Sequence, residues 1–309
     1  MSPELPNCKP TYHTHAGAAY IGDAKDLLRL VPSESINLIL TSPPFALTRK
    51  KEYGNKDAEE YVEWFLQFAY EFKRVLTPDG SLVIDLGGAY LPGLPVRSIY
   101  QYELLIRLVK EVRFYLAQEF FHYNKSRLPA PAEWVNVRRI RVKDSVNTVW
   151  WLSPTPHPKA DNRKVLKPYS KSMEHLLVNG YRAKLRPSGH DISDKFMRNN
   201  NGAIPSNVLE LSNTESNSNY LRKCRETNIK PHPARFPQAF PEFFISFLTE
   251  PDDVVLDPFA GSNTTGFAAE SLGRRWLAFE ISRAYLVGSV CRFKDSMPLF
   301  EGVGLAISE

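Results

Sequence analysis

Short apolar runs, each closed by an acid or a turn, alternate with stretches of helical periodicity along this 309-residue chain. Residues 18–21 form one such run, ending at Gly22-Asp23, and a short helix follows through Leu27-Leu28-Arg29-Leu30. Ile36-Asn37-Leu38-Ile39-Leu40 is rich in strand formers and leads into Thr41-Ser42-Pro43-Pro44-Phe45. Residues 58–76 place Tyr61, Trp64, Phe65, Phe68 and Phe72 at helical spacing, which predicts an amphipathic helix with these aromatics in the core. Pro78-Asp79-Gly80 predicts a turn, and 81–86 a strand that brings Asp85 to its end, just before Gly87-Gly88. Residues 142–152 predict a further strand, broken by Ser153-Pro154-Thr155-Pro156-His157-Pro158. The alternation predicts an α/β fold whose single sheet is completed from both ends of the chain.

Two stretches carry the candidate chemistry. Consecutive prolines cannot extend a ladder, so the strand before Ser42 stops and the chain turns out at its carboxyl end, where open α/β sheets bind ligands. Pro43 and Pro44 also fix two φ angles, so the Ser42 hydroxyl and the Pro43 carbonyl are presented rigidly as acceptors for an amine, with Phe45 beside them. The second stretch, Asp253-Val254-Val255-Leu256-Asp257-Pro258-Phe259-Ala260-Gly261-Ser262-Asn263, reads as strand, acid and glycine-containing turn. A helix from Thr264 to a stop at Gly273 follows, then a strand, Trp276-Leu277-Ala278-Phe279, ending at Glu280. A carboxylate about 20 residues after such a turn is placed to accept hydrogen bonds from the ribose of a nucleoside cofactor.

Residues 159–230 interrupt the pattern. They are rich in Asn and Ser, weakly periodic, and carry 14 Lys and Arg against 7 Asp and Glu. That surplus exceeds the +5 of the whole chain and points to phosphate contact. The chain therefore reads as 11–158, an insert at 159–230, and 231–300. No run approaches the length needed to span a bilayer. Cys8, Cys224 and Cys291 lie far apart, form no metal-ligand spacing, and suit a reducing, cytosolic setting.

The pair Thr41-Ser42-Pro43-Pro44-Phe45 and Asp257-Pro258-Phe259-Ala260-Gly261-Ser262 resembles the S-adenosylmethionine-dependent DNA amino-methyltransferases of the permuted β group, cytosine-N4 type. The resemblance extends through 42–55, 142–151 and 232–237. Adenine-modifying members usually carry Asp where this chain has Ser42. Family cofactor loops often read Phe-x-Gly-x-Gly, whereas Asn263 stands here at the second glycine. The resemblance implies a Rossmann-like methyltransferase sheet with a smaller inserted DNA-recognition region. It further implies S-adenosylmethionine as cofactor with no metal, double-stranded DNA as substrate, and a target base flipped out of the duplex, and a monomer suits a site that needs one strand modified per event. Its functional partner would be a restriction endonuclease, without a stable complex. Carried through to specificity, the resemblance implies the target CAGCTG.

The roles follow from the same source. Ser42 and Pro43 bind the amine, Pro44 fixes the turn, and Phe45 stacks on the base. Asp85 either accepts the departing proton or binds the backbone of its own turn. Asp23 would meet the adenine amine and Glu280 the ribose hydroxyls of the cofactor. Asp257, Phe259, Ala260, Gly261, Ser262 and Asn263 form the cofactor turn, and His232, Arg235 and Phe236 belong to a segment closing over its methionine end. Residues 124–131, with Lys125 and Arg127, sit where the family has a second pocket wall. Arg138, Arg139, Arg141 and Lys143 alternate on an expected strand, and the insert would read bases. Ring-carbon methylation of cytosine needs a cysteine after a proline, and Asn7, Lys223 and Val290 precede the cysteines here. Three readings stay open beside N4 methylation: adenine-N6 methylation of DNA, an RNA methyltransferase, and a DNA-binding protein that keeps the fold without catalysis.

Overall fold

A computed structural model describes residues 3–45, 58–180, 198–212 and 218–293. The stretch 46–55, part of the family resemblance, lies outside them, as does most of the Asn- and Ser-rich segment 212–219. The described chain forms two compact units: Met1–Lys159 with Asn207–Glu309, and Ala160–Ser206.

The larger unit is built on nine described strands in the order β1-β2-β9-β8-β3-β4-β6-β5-β7. They are β1 (Tyr12–His13), β2 (Gly17–Ile21), β3 (Ile36–Thr41), β4 (Leu76–Leu86), β5 (Tyr115–Tyr123), β6 (Val146–Ser153), β7 (Val208–Glu210), β8 (Val254–Asp257) and β9 (Arg275–Glu280). From β2 to β4 the pairings are parallel, and β6 then runs antiparallel between β4 and β5. The C-terminal strands β9 and β8 thus fill the gap between the N-terminal strands β2 and β3. The sheet is completed from both ends of the chain, as the alternation predicts.

Both faces of the parallel part are covered, which is why its strands are apolar at consecutive positions. Ile39, Ile84, Leu256 and Phe279 point to one side with α2 (Ala58–Val75) and α3 (Tyr100–Lys110). Leu38, Val83, Val255 and Trp276 point to the other, with α6 (Ala239–Leu248) and α7 (Thr264–Ser271). The alternation is the period of two that a pleated strand imposes. α1 (Ala24–Leu30) follows β2, with Asp23 as its N-cap accepting from Lys25 N at 2.9 Å. α5 (Asn219–Glu226) and α8 (Arg283–Ser289) complete the unit's helices among the described residues.

Two local expectations differ. The turn expected at 78–80, ahead of a strand at 81–86, lies within β4 instead: Ile36 pairs with Leu76 and Leu38 with Ser81, so four residues loop out of the ladder before pairing resumes. Arg138, Arg139, Arg141 and Lys143 are not on a strand. A π turn, Glu133–Val137, precedes irregular chain in which Arg139 has φ +55°, a left-handed conformation that no extended strand accommodates. β6 therefore begins only at Val146.

In the smaller unit, α4 (Lys171–Asn179) is capped by Ser170, whose hydroxyl accepts from Met173 N at 3.3 Å, and a bridge joins Lys167 to Ala203. The basic segment 159–230 thus holds more regular structure than its weak periodicity suggests. Its last part returns to the larger unit, where β7 pairs with β5.

Candidate active site

The carboxyl ends of β2, β9, β8, β3 and β4 share one sheet margin, and a cavity of about 400 Å³ opens there. Ser42 and Gly261, far apart in sequence, both line it. They meet because β3 and β8 pair directly, Ile39 opposite Leu256. Of the sequence-predicted residues, Asp23, Ser42, Pro43, Pro44, Phe45 and Asp85 line the cavity, as do His232, Arg235, Phe236, Asp257, Phe259, Ala260, Gly261, Ser262 and Glu280. Asn263 does not. It is fully buried beneath the turn as the N-cap of α7.

On the β8–β9 side nearly every polar atom has a protein partner. Asp257 Oδ1 accepts from Thr41 Oγ1 at 2.8 Å and from Phe259 N at 3.1 Å, while Oδ2 accepts from Thr265 Oγ1 at 2.7 Å. The carboxylate thereby ties β3, the turn and α7 together. Burial pushes its pKa up to about 6, against the lowering effect of these donors. Glu280 accepts from Gly261 N and from Ser282 N, each at 2.8 Å, and burial raises its pKa as well. Gly261 has φ +52°, and a Cβ there would meet the His232 ring at 3.2 Å. The glycine therefore lets the turn and the 232–237 segment close on each other. Asn263 takes the second positive φ, +51°, which Asn tolerates better than other side chains. Its Oδ1 accepts from Gly266 N at 3.0 Å, and its Nδ2 donates to Tyr12 Oη at 2.9 Å. The missing glycine is thus replaced by a residue that keeps the backbone shape and adds a cap. Arg292 braces the turn from behind, donating to Ser262 O at 2.6 Å and Ser262 Oγ at 2.9 Å.

The β3–β4 side is loosely satisfied. Ser42 Oγ donates toward Asp85, 3.2 Å from its carbonyl and 3.4 Å from Oδ2. Asn147 Nδ2 reaches Asp85 Oδ2 at 3.3 Å, and Arg127 Nη1 holds Asn147 Oδ1 at 2.9 Å, which fixes the amide's orientation. Asp85 is 3 % exposed, and its Oδ1 has no hydrogen-bond partner among the described residues. Phe45 packs close to the chain just after β4: a Cβ on Gly87 would come within 2.6 Å of its ring. The Asp85 carboxylate turns to Ser42 and Asn147, away from the Gly87-Gly88 turn, whose Gly87 carbonyl accepts instead from Tyr100 Oη.

Sequence reasoning did not single out His122 or Asn147 as site residues. They face each other across the β5–β6 ladder and converge on Asp85, Asn147 from the adjacent strand β6 and His122 from β5 one strand further. Trp64 and Phe68, expected in the core alone, also reach the cavity, packing on Phe259 at ring-centroid distances of 5.7 and 5.2 Å. Among the described residues no three His, Cys, Asp or Glu side chains gather as a metal-ligand set, and no helix is long and apolar enough to cross a membrane.

A family model described as DNA methylase matches residues 36–289. Type II methyltransferase M.PvuII of Proteus hauseri is 55% identical over 291 residues, 93% of this chain and 87% of that protein. The solved structure of PvuII DNA methyltransferase, described as cytosine-N4-specific, superposes with a TM-score of 0.77 at 49% identity, covering 95% of this chain and 92% of that one. A modification methylase from Thermus thermophilus, solved with S-adenosyl-L-methionine, matches in fold with a TM-score of 0.55 at 20% identity, over 89% of this chain and 92% of that one.

Proposed function

We infer the activity from one premise: the chain belongs to the DNA methylase family of N6 and N4 type. It transfers a methyl group from S-adenosylmethionine to the exocyclic N4 amine of cytosine in duplex DNA, as the modification enzyme of a restriction–modification pair. The observation that carries this reading is the Ser42 hydroxyl, donating to Asp85 at the same sheet margin that presents the Gly261 turn.

The cavity's walls fit the cofactor. Gly261 brings backbone close against the His232 ring, Glu280 and Asp23 are carboxylates at adjoining strand ends, and Phe259, Trp64 and Phe68 give an apolar wall. Glu280 and Asp23 would hold the ribose and adenine portions, and the 259–262 turn with His232, Arg235 and Phe236 the methionine portion. Asp257 and Asn263 hold that turn in shape. When bound, S-adenosylmethionine supplies a methyl group on a positively charged sulfur, and the C–S electron pair stays on sulfur as the amine nitrogen takes the carbon.

The protein's own work lies at the amine. Cytosine's exocyclic nitrogen is a poor nucleophile because its lone pair is delocalised into the ring. Ser42 Oγ, with its hydrogen turned to Asp85, keeps lone pairs for one amine hydrogen, and the rigid Pro43 carbonyl accepts the other. Acceptors in that arrangement favour a localised lone pair and strengthen as positive charge develops on nitrogen, which is differential stabilisation of the transition state. Phe45 stacks on a base flipped from the duplex, which costs a few kcal/mol of unstacking. Asp85 takes the proton that nitrogen must lose.

The basic segment 159–230 supplies duplex contact and base reading, the protein works as a monomer, and the target is CAGCTG. Ser42 in place of Asp, together with the likeness to M.PvuII, supports cytosine over adenine. Incubation with tritiated S-adenosylmethionine and plasmid DNA, followed by nucleoside analysis, tests the assignment. Labelled N4-methyldeoxycytidine and protection at CAGCTG are expected. N6-methyldeoxyadenosine would overturn the choice of base, and unlabelled DNA the enzymatic reading itself.

A further inference from the structure

His122 has no role in the scheme above, yet it occupies the space behind the proton acceptor. The ring sits on β5, two strands from Asp85 in the sheet order, and is 7 % exposed. Its Nε2 lies 3.2 Å from the Leu211 carbonyl, which only accepts, so Nε2 carries a hydrogen. Nδ1 points at Asp85 Oδ2 from 3.8 Å and has no hydrogen-bond partner among the described residues. With Nε2 protonated, a neutral ring would turn a bare lone pair toward a carboxylate, whereas an imidazolium turns an N–H toward it. Phe240 from α6 packs on the ring at 5.1 Å and offers no competing acceptor. The charged groups facing the ring are Asp85 from β4 and Arg127 from the chain after β5.

We propose that His122 is a positioning residue for the proton-accepting carboxylate: its imidazolium, anchored on the Leu211 carbonyl, faces Oδ2 of buried Asp85 and leaves Oδ1 free for the proton released by the substrate amine. The proposal rests on the methyl-transfer reading of this site. In the step concerned the amine N–H bond breaks, its electron pair stays on nitrogen, and the proton bonds to Asp85. The balance at His122 agrees with the geometry. Burial alone lowers its pKa, but the Asp85 carboxylate and the Leu211 carbonyl outweigh burial and the Arg127 charge, so the net direction is upward.

Two experiments test the pair. In single-turnover methylation of plasmid DNA, the unaltered protein should show a basic limb, losing about tenfold in rate as pH rises through the raised His122 titration, and His122→Asn should lack that limb and keep the lower rate throughout. Calorimetry should find cofactor affinity unchanged in that variant. A uniform loss across pH, with the limb in place, would show a structural role and overturn the proposal. Should His122→Asn fail to fold, the imidazole titration by NMR of the unaltered, labelled protein against Asp85→Asn decides. His122 should titrate above the usual histidine range and fall by more than one unit when Asp85 loses its charge. A titration indifferent to Asp85→Asn would sink the pair. The NMR measurement needs no turnover, so it stands apart from the methylation assay: an unaltered protein that leaves DNA unlabelled refutes the function while still reporting on His122.

Discussion

The cavity has two walls of different character. Toward β8 and β9, Asp257, Glu280 and Asn263 spend their hydrogen-bonding atoms on the protein, at 2.7 to 3.1 Å. Toward β3 and β4, Ser42, Asn147 and Asp85 meet at 3.2 to 3.4 Å, and two buried atoms, Asp85 Oδ1 and His122 Nδ1, lack hydrogen bonds among the described residues. Buried polar atoms are almost always paired in folded proteins, so orphans call for a cause. On the function proposed above, the difference separates a wall that shapes backbone for a cofactor from a wall that reserves acceptors for a reacting group; Asp257 and Asn263 then act mainly on stability, and Ser42 and Asp85 on rate.

The sharpest break of that contrast is Ser42→Ala. We expect kcat for methyl transfer to fall by about 10²–10³, the usual cost of one preorganised transition-state contact. Cofactor affinity by calorimetry should be unchanged, and unfolding free energy should move by less than about 0.5 kcal/mol. Unchanged turnover would remove Ser42 from the chemistry. Next in size, Asp257→Ala should lower stability in denaturant unfolding by about 2–3 kcal/mol, because three donors lose a charged acceptor while one buried carboxylate is relieved. A stability equal to the parent's would mean that the carboxylate's burial costs as much as its bonds contribute. The smallest effect is at Asn263. Replacement by Ala, which loses the cap and strains a left-handed backbone, should cost about 1–2 kcal/mol, whereas Gly should cost only a few tenths. Equal melting temperatures for the two variants would show that backbone conformation does not decide that position.

The wall toward the cofactor was largely legible in the sequence because its parts are contiguous: strand, acid, glycine turn, helix and carboxylate fall within residues 253–280. Ser42 and Asp85 were legible for a similar reason, each at the end of an apolar run. His122 and Asn147 were not. Their proximity to Asp85 depends on antiparallel register, Asp85 opposite Val149 and His122 opposite Asn147, and nothing local in either strand states which residue falls opposite which. The alternating Arg138, Arg139, Arg141 and Lys143 misled because alternation describes a strand only where backbone can stay extended, and Arg139 turns left-handed. Asn263 looked like a defect in a glycine pattern, but its side chain supplies a helix cap that glycine lacks.

The threading of β9 and β8 between β2 and β3 has a consequence for biosynthesis. Two early strands, β2 and β3, each have one neighbour that is made last, so the nascent polypeptide cannot assemble this margin until translation has passed Glu280. Such non-local pairing is slow to form and is gained all at once. A premature stop codon anywhere upstream therefore yields a silent product instead of a weakened one, and the dose of activity in a cell counts finished chains only.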